Sequence, residues 1–163
     1  MFLINSLKNS IKEKSENHMI VDLVRNDLSR IAKKGTVKVT ELSKINTYKN
    51  IHQMVSTIEA QIENDVFFSK ILKSTFPMGS MTGAPKIKTM KIIDELEETS
   101  RGIYSGAIGY IDPNKNFDFN VVIRTIIYDD ELSKISVNVG SGITFKSNPE
   151  DEYEDCLLYT SPS

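Results

Sequence analysis

The stretch Phe76-Pro77-Met78-Gly79-Ser80-Met81-Thr82-Gly83-Ala84-Pro85-Lys86 is a glycine-rich turn that leads into the helical pattern Ile87 to Leu96. Pro85 suits the first position of that helix, because its missing N–H would have no partner there. Free amides ahead of a helix favour a small anion as the ligand. The spacing matches neither a Walker P-loop nor a dinucleotide-binding turn, which disfavours nucleotides. The turn is therefore either a binding loop or an ordinary turn that only starts the helix.

The composition is typical of a globular domain. The chain has 163 residues, 39% of them hydrophobic and 26% charged, with a net charge of -2. Because there is no basic stripe or Arg-rich run, neither nucleic acid nor an anionic membrane is expected as a partner. Cys156 is the only cysteine, which excludes an internal disulfide and favours the cytoplasm. No apolar run reaches membrane-spanning length, and residues 1–10 lack the apolar core of a signal peptide.

Hydrophobic spacing predicts both helices and strands. Steps of three and four residues predict two helices, Glu13 to Lys34 and Ile51 to Ile62, and an acidic helix is predicted after Ser147. Alternation and β-branched residues predict four strands: Thr36 to Val39, Ala107 to Ile111, Phe119 to Tyr128 and Ile135 to Asn138. Glu41 to Lys49 is predicted to be a connection. The expected fold is α/β in the α+β sense, with helices packed on antiparallel sheets.

Several polar residues stand out before any resemblance is considered. Glu13 and Glu16 are three residues apart at a helix start, where spacing alone indicates charge that complements the helix dipole. His52 lies beside an apolar stripe, a place that packed or surface histidines usually occupy. Arg124 is predicted to lie inside an apolar strand, where an unpaired guanidinium would be costly. It therefore needs an anion, which is either a buried carboxylate of the protein or a ligand.

The opening stretch and five further blocks, in the same order, resemble the chorismate-utilising enzymes. The five blocks are Val21–Asp27, His52–Ser56, Tyr104–Tyr110, Val122–Arg124 and Gly140–Ile143. The resemblance runs from about residue 12 to residue 158 and implies the C-terminal part of a larger chorismate-binding sandwich. Residues 1–11 are then an N-terminal extension or an internal start, and residues 159–163 an atypical tail. Within the family the likeness is greatest to aminodeoxychorismate synthase component I, with anthranilate synthase component I next.

The resemblance also implies roles for particular residues. It implies a Mg2+ site with Glu16 and Asp155 as ligands and Glu13 and Glu152 as accompanying acids. It implies that His52 and Ser80 face the reacting ring. A substrate carboxylate would be bound by Tyr104, Arg124, Gly140 and Gly142. This chain departs from the family at two positions, because Asp155 replaces a glutamate and Tyr159 replaces a lysine.

The function implied is that of a fragment of a magnesium-dependent chorismate aminase, which makes 4-amino-4-deoxychorismate for folate synthesis. A separate glutamine amidotransferase subunit would supply its ammonia. The alternatives are anthranilate synthase component I, which serves tryptophan synthesis, and a non-catalytic remnant or binding module. Because the matched blocks do not include the upstream catalytic groups of the family, we expect these 163 residues alone not to turn over chorismate.

Lys86 is expected either to orient the glycine-rich loop or to be a solvated helix lysine.

Overall fold

The computed structural model describes residues 2–49, 51–145 and 147–158, and the chain divides into two compact units. The first unit, residues 1–96, contains α1 (Phe2–Asn9), α2 (Ile11–Ser29), β1 (Lys38–Thr47), β2 (His52–Glu59), α3 (Phe68–Thr75) and α4 (Lys86–Leu96). The second unit, residues 97–163, contains β3 (Ala107–Ile111), β4 (Phe117–Val121), β5 (Ile126–Asp129), β6 (Lys134–Val137) and α5 (Pro149–Leu158). The predicted tail, residues 159–163, lies outside the described residues. The expected mixture of helices and antiparallel strands is confirmed.

Helix α2 confirms the first helix prediction, although its ends differ. It begins at Ile11 because the Ser10 side chain caps it, with Oγ accepting the backbone N–H of Glu13 at 3.2 Å. It ends at Ser29, earlier than predicted, because the chain then turns away to pair Ala32 with Ile62. The side chain of Ile31, 3% exposed, is one of the most buried in the first unit.

The prediction of a helix from Ile51 to Ile62 is wrong, because β2 occupies this segment. Strands β1 and β2 pair antiparallel from Thr47 opposite His52 to Lys38 opposite Glu59. The predicted connection over residues 41–49 is likewise wrong, since most of it belongs to β1. Strand β2 contains the β-branched residues Val55, Thr57 and Ile58, and β1 contains Val39, Thr40, Ile45 and Thr47, which favour a pleated strand. A neighbouring strand of similar length then satisfies the backbone groups, and this pairing overrides the helical spacing.

The described residues of the second unit form two hairpins, β3 with β4 and β5 with β6. The prediction of one strand from Phe119 to Tyr128 is wrong, because the chain bends between β4 and β5. After the buried Val122, the N–H of Ile123 donates to the carbonyl of Val121 at 3.1 Å, a local bond that turns the chain. Arg124 follows at a φ of +51° and is exposed. Its predicted place inside an apolar strand is therefore wrong.

Helix length and hydropathy also bear on membrane insertion. Within residues 2–49, 51–145 and 147–158, none of the helices combines the length and the apolar character needed to cross a membrane.

Candidate functional site

The glycine-rich loop is attached to α2 by a buried ion pair. Lys86, the first residue of α4, donates from Nζ to Asp27 Oδ2 at 2.5 Å and to the carbonyl of Pro77 at 2.9 Å. The side chains of Lys86 and Asp27 are only 14% and 6% exposed. Lys86 therefore orients the loop, and the alternative of a solvated helix lysine is excluded.

The loop also packs directly on α2 through Gly79. A Cβ added to Gly79 would lie 2.8 Å from the Cβ of Leu23, so only glycine fits at this approach. Gly79 is buried, whereas the adjacent Ser80 is exposed. The close packing of Gly79 thus leaves Ser80 at the surface.

Part of the anion-binding expectation for this loop is not met. The amides of Met81 and Thr82 donate to the carbonyls of Met78 and Gly79, at 3.1 and 3.2 Å. The Thr82 hydroxyl donates to the same two carbonyls. These two amides stabilise a short 3-10 turn, residues 79–81, and are not directed at a ligand.

His52 lies at the end of the first hairpin, opposite Thr47. Its Nδ1 and the Thr47 hydroxyl are 3.0 Å apart, which holds one edge of the ring. An open cavity of about 520 Å³ adjoins it, and the lining residues are Leu3, Thr47, Tyr48, Lys49, Ile51 and His52. Within the described part of the chain no hydrogen bond joins His52 to Ser80, although both belong to the first unit.

The first predicted pair of acids lies near the start of α2. Glu13 and Glu16 are both half-buried and, being three residues apart, share one side of the helix. Asn17 follows Glu16 and is bonded to both strands of the hairpin, to Ser43 on β1 and Ser56 on β2. The position of this end of α2 is therefore set by contacts with the sheet.

In the second unit the structure brings together two predicted carboxylate-binding residues. A Cβ added to Gly140 would lie 2.5 Å from the Tyr104 hydroxyl, so the Gly140 backbone closely approaches this oxygen. Burial raises the pKa of Tyr104, while the Arg101 guanidinium acts in the opposite direction. The phenol therefore remains a neutral donor, a form suited to a carboxylate. Gly142 is exposed nearby in sequence.

An ion pair precedes Tyr104 in the chain. Arg101 Nε donates to Glu97 Oε2 at 2.8 Å, and Arg101 Nη2 donates to Glu97 Oε1 at 2.5 Å. A third donor, Nη1, reaches the Ser105 hydroxyl at 3.1 Å. The bonds between Arg101 and Glu97 lower the pKa of Glu97 and raise that of Arg101. The segment that carries Tyr104 is thereby anchored on both sides.

The second predicted pair of acids lies on α5. Glu152 is 4% exposed and accepts a short hydrogen bond from the Ser141 hydroxyl. Ser141 stands between Gly140 and Gly142, so this bond joins the glycine segment to α5. The side chain of Asp155 lies outside the described residues, so its predicted role as a ligand stays a prediction.

The donor chemistry of the four acids suits Mg2+, which prefers carboxylate oxygens. Glu13 and Glu16 belong to the first unit, and Glu152 and Asp155 to the second. Among the side chains that the structure describes, no group of three or more His, Cys, Asp or Glu could by itself hold a metal ion. Magnesium is therefore not assigned from the geometry.

Sequence reasoning missed several residues of this site. Asp27 has no local signal that marks it as buried, although it closes the Val21–Asp27 block. Asn17 and Ser141 also gave no local signal, because their bonds join positions far apart in the chain. The predicted substrate roles of His52, Ser80, Tyr104, Arg124, Gly140 and Gly142 stay predictions, as do the metal roles of Glu13, Glu16 and Glu152.

Comparison with known sequences assigns the chain to one family of proteins. The sequence model of a family described as chorismate binding enzyme matches residues 2–161, so the chain belongs to this family. It is 48% identical over 160 residues to the chloroplastic aminodeoxychorismate synthase of Arabidopsis thaliana, covering 98% of this chain and 17% of that protein. It is 42% identical over 146 residues to anthranilate synthase component 1 of Aquifex aeolicus, covering 90% of this chain and 29% of that protein.

A solved structure supports the same assignment. Anthranilate synthase component I from Streptococcus pneumoniae superposes with a TM-score of 0.81 at 32% identity, over 96% of this chain and 36% of that chain. The fold class is thus that of a chorismate-utilising enzyme. The chain spans less than two fifths of the length of each of these three relatives.

Proposed function

We propose that this chain is part of an aminodeoxychorismate synthase, which replaces the ring hydroxyl of chorismate with an amino group and retains the enolpyruvyl group. The observation that carries the proposal is the 48% identity to an aminodeoxychorismate synthase across 98% of the chain. The stretch Gly79–Lys86 supports the same branch, because anthranilate enzymes more often carry Thr-Leu-Ser in this loop. Folate synthesis would be the destination of the product, and a glutamine amidotransferase subunit would supply the ammonia.

Chorismate carries two carboxylates and a hydroxyl that must leave from an allylic position. Tyr104, Arg124, Gly140 and Gly142 would bind one carboxylate. Arg124 is suited to this by its planar bidentate fork, and its exposure leaves it accessible to solvent. His52 and Ser80 would face the ring, where an imidazole and a hydroxyl can orient the leaving oxygen and exchange a proton with it.

The acids would hold a magnesium ion. Glu16 and Asp155 would be the ligands, with Glu13 and Glu152 as accompanying acids. When bound, Mg2+ would neutralise a substrate carboxylate and orient the ring. Ser141 already holds the Glu152 carboxylate in one position.

Product analysis tests the branch. The natural protein that contains this chain is incubated with chorismate, Mg2+ and ammonia, and the products are separated by chromatography. We expect 4-amino-4-deoxychorismate without release of pyruvate. Fluorescent anthranilate with stoichiometric pyruvate would contradict the branch and support the alternative, for which the 42% identity to an anthranilate synthase is the evidence. Failure to consume chorismate would favour the non-catalytic alternative.

Substitution of the acids tests the metal assignment. In the natural protein, Glu16→Gln is expected to abolish magnesium-dependent activity, because the amide loses the anionic oxygen that a hard cation prefers. Asp155→Glu is expected to preserve or raise activity, since it restores the longer side chain of the family. Glu154→Gln, an exposed neighbour on α5, is the matched control and should have no effect. Unchanged activity in Glu16→Gln would remove it from the metal site.

A further inference from the structure

Three polar side chains join α2 to both strands of the first hairpin. Asn17 Oδ1 accepts hydrogen bonds from the Ser56 hydroxyl at 2.6 Å and from the Ser43 hydroxyl at 3.2 Å. Ser56 Oγ accepts the backbone N–H of Ser43 at 2.9 Å. All three residues are half-buried. Loss of one side chain would therefore leave polar groups of the other two without these hydrogen bonds, at positions with limited access to water.

Ser43 lies at an irregularity of the hairpin. The pairing of β1 with β2 places Leu42 and Ser43 opposite the single residue Ser56, which is a β-bulge. The φ of Ser43 is +51°, a left-handed conformation that residues other than glycine adopt only where the surroundings enforce it. The bonds from Ser43 to Ser56 and Asn17 provide that enforcement.

The bulge controls the part of the hairpin that carries His52. Beyond it the pairing is regular from Lys44 opposite Val55 to Thr47 opposite His52. His52 and Ser56 are four residues apart on one strand, so their side chains point to the same face. The bend and twist introduced at the bulge therefore set the direction in which the His52 end of the hairpin leaves α2.

We propose that Asn17 and Ser56 are positioning residues, which hold the Ser43 bulge against α2 and thereby set the orientation of His52. The inference rests on the proposed function only in taking His52 as a group that faces the reacting ring. Neither positioning residue needs to touch the substrate. Asn17 suits the role because its amide oxygen has two lone pairs and accepts both hydroxyl protons at once.

A structural experiment tests the network without any assay of activity. Ser56→Ala is made in the natural protein, and hydrogen exchange is measured on peptides from β1. Exchange around Ser43 is expected to be at least about tenfold faster, because its N–H loses its acceptor. The rate at which diethyl pyrocarbonate modifies His52 is expected to change by at least about twofold as its exposure shifts. His18, on α2, is the internal reference and should react at the same rate.

A kinetic experiment separates positioning from stability. Ser56→Ala and Asn17→Ala are each expected to lower kcat by about tenfold to a hundredfold through misplacement of His52, with the KM for chorismate little changed. The double variant should be no slower than either single variant, because both act through one network. Ser56→Thr keeps the hydroxyl and should retain most of the activity. Asn26→Ala is the control, since Asn26 is exposed on the same helix and bonds only to Arg30 among the described contacts of its side chain.

The outcomes distinguish this inference from the proposed function. Unchanged exchange and unchanged His52 reactivity in Ser56→Ala would overturn the network. Altered reactivity with unchanged kcat would overturn its role in positioning a group that reacts. If the natural protein consumes no chorismate, the proposed function fails, and the orientation of His52 is then decided by the reactivity measurement alone.

Discussion

Lys86 Nζ lies 2.5 Å from Asp27 Oδ2 and joins the start of α4 to the last turns of α2 across 59 positions of sequence. The same ammonium donates to the carbonyl of Pro77, so one side chain closes the glycine-rich loop at both ends. The loop that presents Ser80 is therefore held by tertiary contacts, not by its own sequence alone.

Removal of the Lys86 ammonium should lower the stability of the folded protein. Lys86→Met leaves the buried Asp27 carboxylate without its partner and is expected to lower the free energy of unfolding by about 3 kcal/mol. Urea denaturation of the natural protein measures this. Lys88→Met, at an exposed position of the same helix, is the matched control and should change stability by less than about 0.5 kcal/mol. Equal effects of the two substitutions would show that the ion pair does not hold the loop.

The contact between Gly79 and Leu23 predicts a second stability effect. Gly79→Ala places a Cβ 2.8 Å from the Cβ of Leu23, so the loop must move away from α2. We expect a loss of about 2 kcal/mol in the free energy of unfolding, the usual size for overpacking. Ser80→Ala, one residue further along and exposed, should be nearly neutral in stability. A stable Gly79→Ala variant would mean that this approach is looser than described.

Gly140 and Tyr104 should be coupled. Gly140→Ala places a Cβ 2.5 Å from the Tyr104 hydroxyl, which must then shift. Because Tyr104→Phe removes that oxygen, Gly140→Ala should be tolerated better in the Tyr104→Phe background. A double-mutant cycle on the free energy of unfolding is expected to give an interaction of about 1 kcal/mol. Additive effects would argue against contact between the two residues.

Glu97 and Arg101 predict a pH dependence. The hydrogen bond from Arg101 lowers the pKa of Glu97 in the folded state, so folding favours the ionised carboxylate. Its contribution is present above the ordinary value of 4.5 and is lost as the pH falls through the lowered pKa. Since the Glu97 side chain is 40% exposed, solvent screening limits this contribution to about 0.5 kcal/mol.

The measurement compares the wild type with Glu97→Gln in urea at neutral and at strongly acidic pH. The wild type should be the more stable at neutral pH, and the difference should vanish in acid. Glu98→Gln removes an exposed neighbouring charge and serves as the control. A difference that persisted in acid would contradict the ionic origin of the effect.

Local signals were sufficient for some parts of the fold. The helices α2 and α4 follow from apolar residues at three- and four-residue steps, and the strand β3 from its β-branched and aromatic residues. Six sequence blocks in the same order indicate the family, and this inference needs no structure. The segment around Arg124 was not predicted correctly from local patterns. Its apolar residues predicted a continuous strand, but a local hydrogen bond turns the chain there.

What the sequence by itself determined is therefore the mixture of helices and strands, the ends of several elements and membership of the chorismate-binding family. Only the tertiary structure decided that residues 52–59 form a strand, since pairing with β1 satisfies backbone groups that local spacing does not count. It alone decided that Asp27 is buried against Lys86 and that Asn17 meets Ser43 and Ser56. The physical reason is common to all three cases. Propensity and periodicity act over a few residues. The paired residues of β1 and β2 are up to 21 positions apart, and the other partners are 26 to 59 positions apart, so they meet only when the whole unit packs.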